Sequence, residues 1–162
     1  MADVFDKTQR SAVMSKVRSS GNKSTELRLI KLFTSAGITG WRRKYPVIGK
    51  PDFVFPKQRV AVFVDGCFWH GHDCRNTRPS DNAEYWKKKR ERNIQRDIEV
   101  TKTFQKRGWT VLRIWECELR KAHSDNTLDR ICFTLEQCVV NNDLMGGIPD
   151  VRWIDKCTSA IK

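Results

Sequence analysis

The sequence predicts an α/β fold in which helices flank a mixed central sheet. Short runs of β-branched and aromatic residues are interspersed with longer segments of helical periodicity. Two of these runs are close enough in the chain to form a hairpin. In order, the predicted elements are two helices, three strands, a long helix, one strand and a helix, which is typical of this fold class. A chain of 162 residues can bury one hydrophobic core.

Two helices are predicted first. Residues 4–18 have a helical pattern with few apolar positions, and the SSGNKS stretch after them is a turn or linker. The segment 24–37 begins with a Ser or Thr cap candidate, carries a helical apolar stripe, and ends at Gly37. Glu26 falls in its first turn.

Three strands are predicted next, at 41–47, 53–55 and 59–66. The last two are joined by a short Pro-Lys-Gln turn, which predicts a hairpin. A helix is then predicted from Asn82 to about Lys106, with apolar positions at Tyr85, Ile94, Ile98, Val100 and Phe104. A strand at 108–117 and a capped helix at 125–140 complete the pattern, and the tail after Asn141 has no clear period.

The charge of the chain predicts a polyanionic partner. Lys and Arg total 31 against 19 Asp and Glu, a net charge of +12, so nucleic acid is the leading candidate and a solvated basic surface the alternative. No segment combines basic charge with a strong apolar stripe, and no apolar run reaches 18 residues, so we expect no membrane partner. The first residues lack the apolar core of a secretion signal, so we expect a cytoplasmic protein whose six Cys are thiols.

Two carboxylates stand at strand ends. Asp52 precedes the strand 53–55, and Asp65 ends the next strand. If these strands form a hairpin, the start of one lies beside the end of the other, and both carboxylates meet at one edge of the sheet. Such a pair suits Mg²⁺, which can polarise a phosphodiester and activate water. The alternative is a turn Asp and a strand-end Asp that are merely solvated.

The segment VDGCFWHGHDC, at 64–74, concentrates the remaining chemistry. It contains Cys67, His72 and Cys74, and the Cys117 thiol could complete a tetrahedral Zn²⁺ site if the strands are neighbours. The alternative is a set of reduced thiols beside a solvated His. Cys132 and Cys138 fit that second description, because both fall within a helical pattern.

Other side chains of this segment also suit DNA chemistry. His70 could act as general acid or base, or contact a phosphate, although a lone loop His often has no such role. Phe68 and Trp69 could stack on bases or wedge between them, and Trp86 could join them. The alternative is that these rings cover the core beside the zinc site.

Taken together, these segments resemble the very-short-patch-repair (Vsr) endonuclease family. The matching stretches are ADVFDKTQRSAVMSKVRSSGNKSTELRL, GKPDFVF, RVAVFVDGCFWHGHDC, EYWKKKRERNIQRD and GWTVLRIWEC, which span roughly residues 2–122. The resemblance implies a restriction-endonuclease-like fold and Mg²⁺-dependent nicking of double-stranded DNA 5′ to the thymine of a T·G mismatch, which arises when 5-methylcytosine deaminates. It also implies a structural zinc site, and mismatch-repair proteins and a cytosine-5 methyltransferase as further partners.

The resemblance assigns roles to individual residues. Asp52 would bind the metal with a backbone oxygen at Val64, and His70 would be the catalytic histidine. Glu26 and Asp97 match acidic positions near the active site, and Asp97 could equally be a charge on a solvated helix face. The zinc ligands would be Cys67, His72, Cys74 and Cys117. The aromatic wedge would be Phe68, Trp69 and Trp86, and the residues that contact the mispaired bases would be Lys89 and Asn93.

One departure concerns the metal site. The best-characterised type of the family has Thr-His where this chain has Val64 and Asp65, so Asp65 could add a metal ligand here. We predict an N-terminal DNA-contacting arm at 1–23, an endonuclease domain at 24–141 and a tail at 142–162, in a monomer. The alternatives are a restriction-type endonuclease without mismatch preference and a noncatalytic zinc module that binds DNA.

Overall fold

The computed structural model describes residues 25–74 and 82–143, with side chains to residue 138 in the last helix. The helix predicted at 4–18 and the tail from residue 144 lie outside these ranges. The described elements are α1 (Glu26–Ser35), β1 (Phe53–Phe55), β2 (Val60–Asp65), α2 (Ala83–Lys106), β3 (Thr110–Trp115) and α3 (Ser124–Asp143). Two short 3-10 helices, Glu116–Leu119 and Lys121–His123, join β3 to α3.

The three described strands form a mixed sheet, as predicted, and their order is β1-β2-β3. β1 and β2 are antiparallel, with Phe53 opposite Val62 and Phe55 opposite Val60, and the turn between them confirms the predicted hairpin. β2 and β3 are parallel, from Val60 beside Thr110 to the strand ends. Parallel neighbours need a long crossover, which the 24 residues of α2 supply.

Alternation along the strands divides the core into two parts. The larger part lies between the sheet and the helices α1 and α3. Its strand side chains are Phe53, Phe55, Val60 and Val62, and they pack with other buried side chains including Leu29, Phe33, Ile114, Ile131 and Leu135. Ala61 and Phe63 point to the opposite face and pack against Phe104 of α2. Asp65 is two residues beyond Phe63, so it lies on the α2 face of the sheet.

The helix α1 forms because Leu29 and Phe33 are one turn apart and both fully buried. It ends where predicted, since Gly37 adopts a positive φ of 67° and the Ile38 N–H bonds back to the Phe33 carbonyl at 2.9 Å. Of the two predicted cap candidates, Thr25 makes no side-chain capping hydrogen bond, and Ser24 lies outside the described residues.

One expectation about secondary structure is wrong, and the long helix α2 is confirmed. The segment 41–47 is not a strand: only Arg42 forms a bridge, to Val54. Lys44 has a positive φ of 52° and Pro46 has no N–H to donate, so the ladder cannot continue. In α2, only Phe104 of the proposed apolar positions is buried, and Tyr85, Ile94 and Ile98 are exposed. No described helix is both long enough and apolar enough to cross a membrane.

Candidate active site and metal centre

An acidic and basic cleft of about 590 Å³ opens between α1 and the segment before β1. It is lined by Glu26, Arg43, Lys44, Lys50 and Asp52, among others. Glu26 is 5% exposed and forms an ion pair with Arg43. The cleft therefore combines one buried and one half-buried carboxylate with positive charge, which is the combination that binding a metal ion beside a phosphate requires.

Asp52 is held at the end of the hairpin by its neighbour strand. The Val64 N–H donates to Asp52 Oδ2 at 2.7 Å. The pKa of Asp52 is raised from 3.8 to about 6. Burial is the largest cause and the Glu26 and Asp65 carboxylates add to it, whereas the Val64 hydrogen bond and Arg43 oppose it. A cation would relieve the desolvation and repulsion that raise this pKa, so Asp52 has the electrostatic setting of a metal ligand.

Asp52 and Asp65 lie at the same end of the hairpin, as the register requires, but Asp65 has partners of its own. Arg113 Nη1 donates to Asp65 Oδ2 at 2.6 Å, and His70 Nδ1 is 3.8 Å from Asp65 Oδ1. His70 Nδ1 is also 2.5 Å from Asp97 Oδ2. The ligand atoms of Asp65, His70 and Asp97 all lie within 4.8 Å of one another and could hold a metal.

The cluster of Cys67, His72, Cys74 and Cys117 is brought together as the sequence predicts. Its four ligand atoms lie within 4.8 Å of one another, and His72 Nδ1 is 3.5 Å from Cys117 Sγ. β2 leads directly to Cys67 and the parallel strand β3 leads to Cys117, which is why residues fifty positions apart meet. The His72 ring stacks on Trp115 with centroids 4.4 Å apart, which fixes its orientation.

The donor set fits Zn²⁺. Three sulfurs and one imidazole nitrogen are a composition that structural zinc sites use, and the mutual spacing allows tetrahedral coordination. Burial raises the pKa of Cys67 above its usual range and that of Cys117 to about 12, and the Cys74 thiol adds to both increases. Metal binding requires thiolates, so these residues would release protons as they bind.

Aromatic rings form one cluster at the junction of segment 64–74 and α2. Phe68, Trp69 and Trp86 contact one another with centroid distances of 5.0 to 5.7 Å. Exposed Tyr85 extends the cluster, at 5.1 Å from Trp86. Lys89 Nζ lies within 6 Å of the centroids of Trp69, Tyr85 and Trp86. These rings therefore lie outside the two hydrophobic core clusters and pack against one another and against Lys89.

Asn93 is near the aromatic cluster, but its amide has a structural partner. Its Nδ2 donates to the Trp69 carbonyl oxygen at 2.9 Å. One turn further along α2, Asp97 contacts His70, the residue that follows Trp69. α2 thus contacts Trp69 and His70 through two successive residues one turn apart.

Two arginines of the site were missed by sequence reasoning. Arg43 pairs with Glu26, and Arg113 pairs with both Asp65 and Asp97. For Arg113 a signal was present, because it is a lone charge within the apolar strand TVLRIW. A charged residue inside a half-buried strand usually has a partner of opposite charge.

Comparison with known proteins agrees with this geometry. A family model described as "DNA mismatch endonuclease Vsr" matches residues 2–76. The DNA mismatch endonuclease Vsr of Escherichia coli (strain K12) is 38% identical over 121 residues, which are 74% of this chain and 77% of that protein. The chain belongs to the Vsr family.

Related nicking enzymes extend the family resemblance. The type II nicking enzyme V.NmeAIP of Neisseria meningitidis serogroup A / serotype 4A is 35% identical over 141 residues, 86% of this chain and the whole of that protein. V.NmeDIP of Neisseria meningitidis serogroup C is 44% identical over 115 residues, 70% of this chain and 77% of that protein. This Vsr-family protein is therefore a DNA endonuclease, and the alternative of a noncatalytic zinc module is wrong.

Proposed function

We propose that this Vsr-family endonuclease nicks one strand of duplex DNA, 5′ to the thymine of T·G mismatches that arise from deamination of 5-methylcytosine. The observation that carries the proposal is the arrangement of segment 64–74. Within this segment, Val64 contacts Asp52 and His70 contacts Asp97. The rings of Phe68 and Trp69 contribute to the aromatic cluster, and the thiols and imidazole of the Cys/His cluster lie on either side of them. One short segment thus joins a wedge for base pairs to side chains suited to phosphodiester hydrolysis.

Mg²⁺ is the cofactor proposed for hydrolysis, with Asp52 as its principal protein ligand. The N–H and C=O of a strand residue point to the same neighbour in an antiparallel ladder, and the Val64 N–H points to Asp52. The Val64 carbonyl oxygen is therefore the natural second ligand. When bound, Mg²⁺ supplies positive charge to the phosphate and promotes ionisation of water. Glu26 holds Arg43 in the same cleft, where the guanidinium can contact a phosphate oxygen.

His70 is the proposed general acid or base. Its Nδ1 donates to the Asp97 carboxylate, since a carboxylate can only accept, and this leaves Nε2 to exchange a proton with substrate or water. Asp65, in contact with Arg113 and near His70, belongs to this group rather than to the Asp52 cleft. Asp65 therefore enters the proposal as a support for His70, although the sequence favoured it as a Mg²⁺ ligand.

Recognition of the mismatch is assigned to the aromatic cluster and α2. A mispaired step costs less to unstack than a matched one, so insertion of Phe68, Trp69 or Trp86 favours mismatches. Lys89 and Asn93 lie beside these rings and would contact the mispaired bases. Zn²⁺ on the Cys/His cluster would fix the segment that carries the wedge and His70. A cytosine-5 methyltransferase and mismatch-repair proteins are the proposed functional partners of this monomer.

The test compares duplexes that differ at one base pair. T·G and C·G duplexes of the same sequence, each labelled in turn on either strand, are incubated with the protein with and without Mg²⁺. We expect a nick only in the thymine strand of the T·G duplex, 5′ to the thymine, and only with Mg²⁺. Equal cleavage of both duplexes would instead favour a restriction-type activity, an alternative that the relatives named as type II nicking enzymes support.

A further inference from the structure

Arg113 occupies an unusual position for a charged residue. It lies in the middle of β3, and its register partner on β2 is Phe63. Its side chain is on the α2 face of the sheet, with the guanidinium carbon 4.8 Å from the Phe63 ring centroid. The side chain is 21% exposed, so most of its charge is removed from solvent. Such a position requires fixed anionic partners.

The guanidinium has those partners on two different elements. Nη1 is 2.6 Å from Asp65 Oδ2 at the end of β2, and Nη2 is 3.3 Å from Asp97 Oδ1 on α2. Nη2 also donates to the backbone oxygen of Asp97 at 3.3 Å. The rigid planar fork of arginine therefore ties β3, β2 and α2 together at one point.

The same two carboxylates also face His70, each with its other oxygen. Asp97 Oδ2 is 2.5 Å from His70 Nδ1, and Asp65 Oδ1 is 3.8 Å from it. Each carboxylate thus presents one oxygen to the guanidinium and the other to the imidazole. Without the guanidinium, the buried Asp65 carboxylate and the half-buried Asp97 carboxylate would repel each other, and neither would keep its orientation towards the ring.

We propose that Arg113 is a positioning residue for the nicking reaction, whose guanidinium fixes Asp65 and Asp97 and through them the His70 ring. Arg113, and not a divalent cation, is then the permanent counter-charge of this carboxylate pair. The inference rests on the proposed function in that it gives His70 a part in phosphodiester hydrolysis. It also separates this group from the Asp52 cleft, where the metal is proposed.

The kinetic test compares Arg113→Met, Arg113→Lys and a control, Arg107→Met. Arg107 is an exposed residue at the end of α2, so its variant loses one positive charge away from the carboxylates. Single-turnover nicking is measured on whichever duplex the unaltered protein nicks fastest, and DNA affinity is measured separately. We expect Arg113→Met to lower the rate about 100-fold, as a small misplacement of a reacting group does. Its DNA affinity should stay within about threefold of the Arg107→Met value.

The lysine variant keeps the test decisive if the methionine variant folds poorly. Lys retains the charge but cannot contact two carboxylates with a planar fork, so we expect a rate between those of Arg113→Met and the unaltered protein. An Arg113→Met rate equal to that of Arg107→Met would overturn the proposal. So would an unimpaired Arg113→Lys, or a loss confined to DNA affinity.

A spectroscopic measurement makes the test independent of nicking. The chain has three His, so the imidazole ¹⁵N signals of His70 can be assigned. We expect a hydrogen-bonded Nδ1–H signal for His70 in the unaltered protein and in Arg107→Met, and its loss or exchange broadening in Arg113→Met. Identical His70 signals in all three would refute positioning by Arg113. If the protein shows no preference for T·G duplexes but the His70 signals and the Arg113 variants behave as expected, the proposed substrate is refuted and the role of Arg113 is not.

Discussion

Replacing Asp52 by asparagine should abolish nicking and, at the same time, stabilise the folded protein at neutral pH. Burial, helped by the Glu26 and Asp65 carboxylates, raises the pKa of Asp52 from 3.8 to about 6. The folded state therefore binds the proton more tightly than the unfolded chain does. The stability that the folded protein gains from this tighter proton binding is complete below pH 3.8 and is lost as the pH rises through 6. Asparagine still accepts from the Val64 N–H but has no charge to bury.

The size of the effect follows from the two pKa values. The difference between 3.8 and about 6 corresponds to about 3 kcal/mol at about 1.4 kcal/mol per pH unit. Asp52 is only partly buried, so solvent screening lowers this, and we expect a gain of about 1 to 3 kcal/mol at pH 8. At pH 5 the gain should be about half as large, because only about half of the interval between the two pKa values lies below that pH.

Urea unfolding of both proteins between pH 5 and 8, with no added Mg²⁺, measures this directly. Asp129→Asn is the matched control, because Asp129 is an exposed residue of α3 and its replacement should give little change. Added MgCl₂ should then raise the free energy of unfolding of the unaltered protein and not that of Asp52→Asn. An Asp52→Asn variant that is no more stable than the unaltered protein at pH 8 would refute the electrostatic reasoning, and full nicking activity would refute the catalytic assignment.

Three further predictions concern the zinc site, the wedge and the fold. The purified protein should contain one zinc ion, and Cys74→Ser should lose it at a lower chelator concentration; elemental analysis checks both. Trp69→Ala should reduce the preference for T·G over C·G duplexes by about tenfold or more in single-turnover nicking, since one base–aromatic stack contributes about 1 to 3 kcal/mol. Gly49→Ala should destabilise the fold by about 1 to 3 kcal/mol more than Gly40→Ala in urea unfolding. Both glycines have positive φ, but a Cβ at Gly49 would lie 2.5 Å from Val100 Cγ1, whereas one at Gly40 meets nothing within 4 Å.

Local patterns predicted the elements that depend on local chemistry. The hairpin followed from two apolar runs around a short turn, and α2 from a long stretch without Gly or Pro. The strand prediction for residues 41–47 was wrong because the sequence pattern does not reveal the positive φ of Lys44. The apolar positions of α2 predicted the helix but not its burial, because the helix buries only Phe104 and leaves Ile98 exposed.

The candidate site was predictable where residue type alone restricts the chemistry. Three thiols and an imidazole predicted a zinc cluster, and the structure brings their ligand atoms together. The partner of Asp65 could not be predicted in this way, because Arg113 is 48 positions away and no spacing rule connects them. Strand register connects them: β2 and β3 are parallel, so the strand ends and the side chains of their α2 face lie side by side.

The arrangement along α2 suggests why mismatch recognition and hydrolysis should depend on each other. Asn93 holds the Trp69 carbonyl and Asp97 holds the neighbouring His70, and the two α2 residues are one turn apart on the same helix face. A displacement of Trp69 must therefore move His70, unless the backbone between them distorts. On a matched duplex, where insertion of the ring is costly, strain on Trp69 would be transmitted to His70. We therefore expect T·G and C·G duplexes to differ in nicking rate as well as in affinity for the protein.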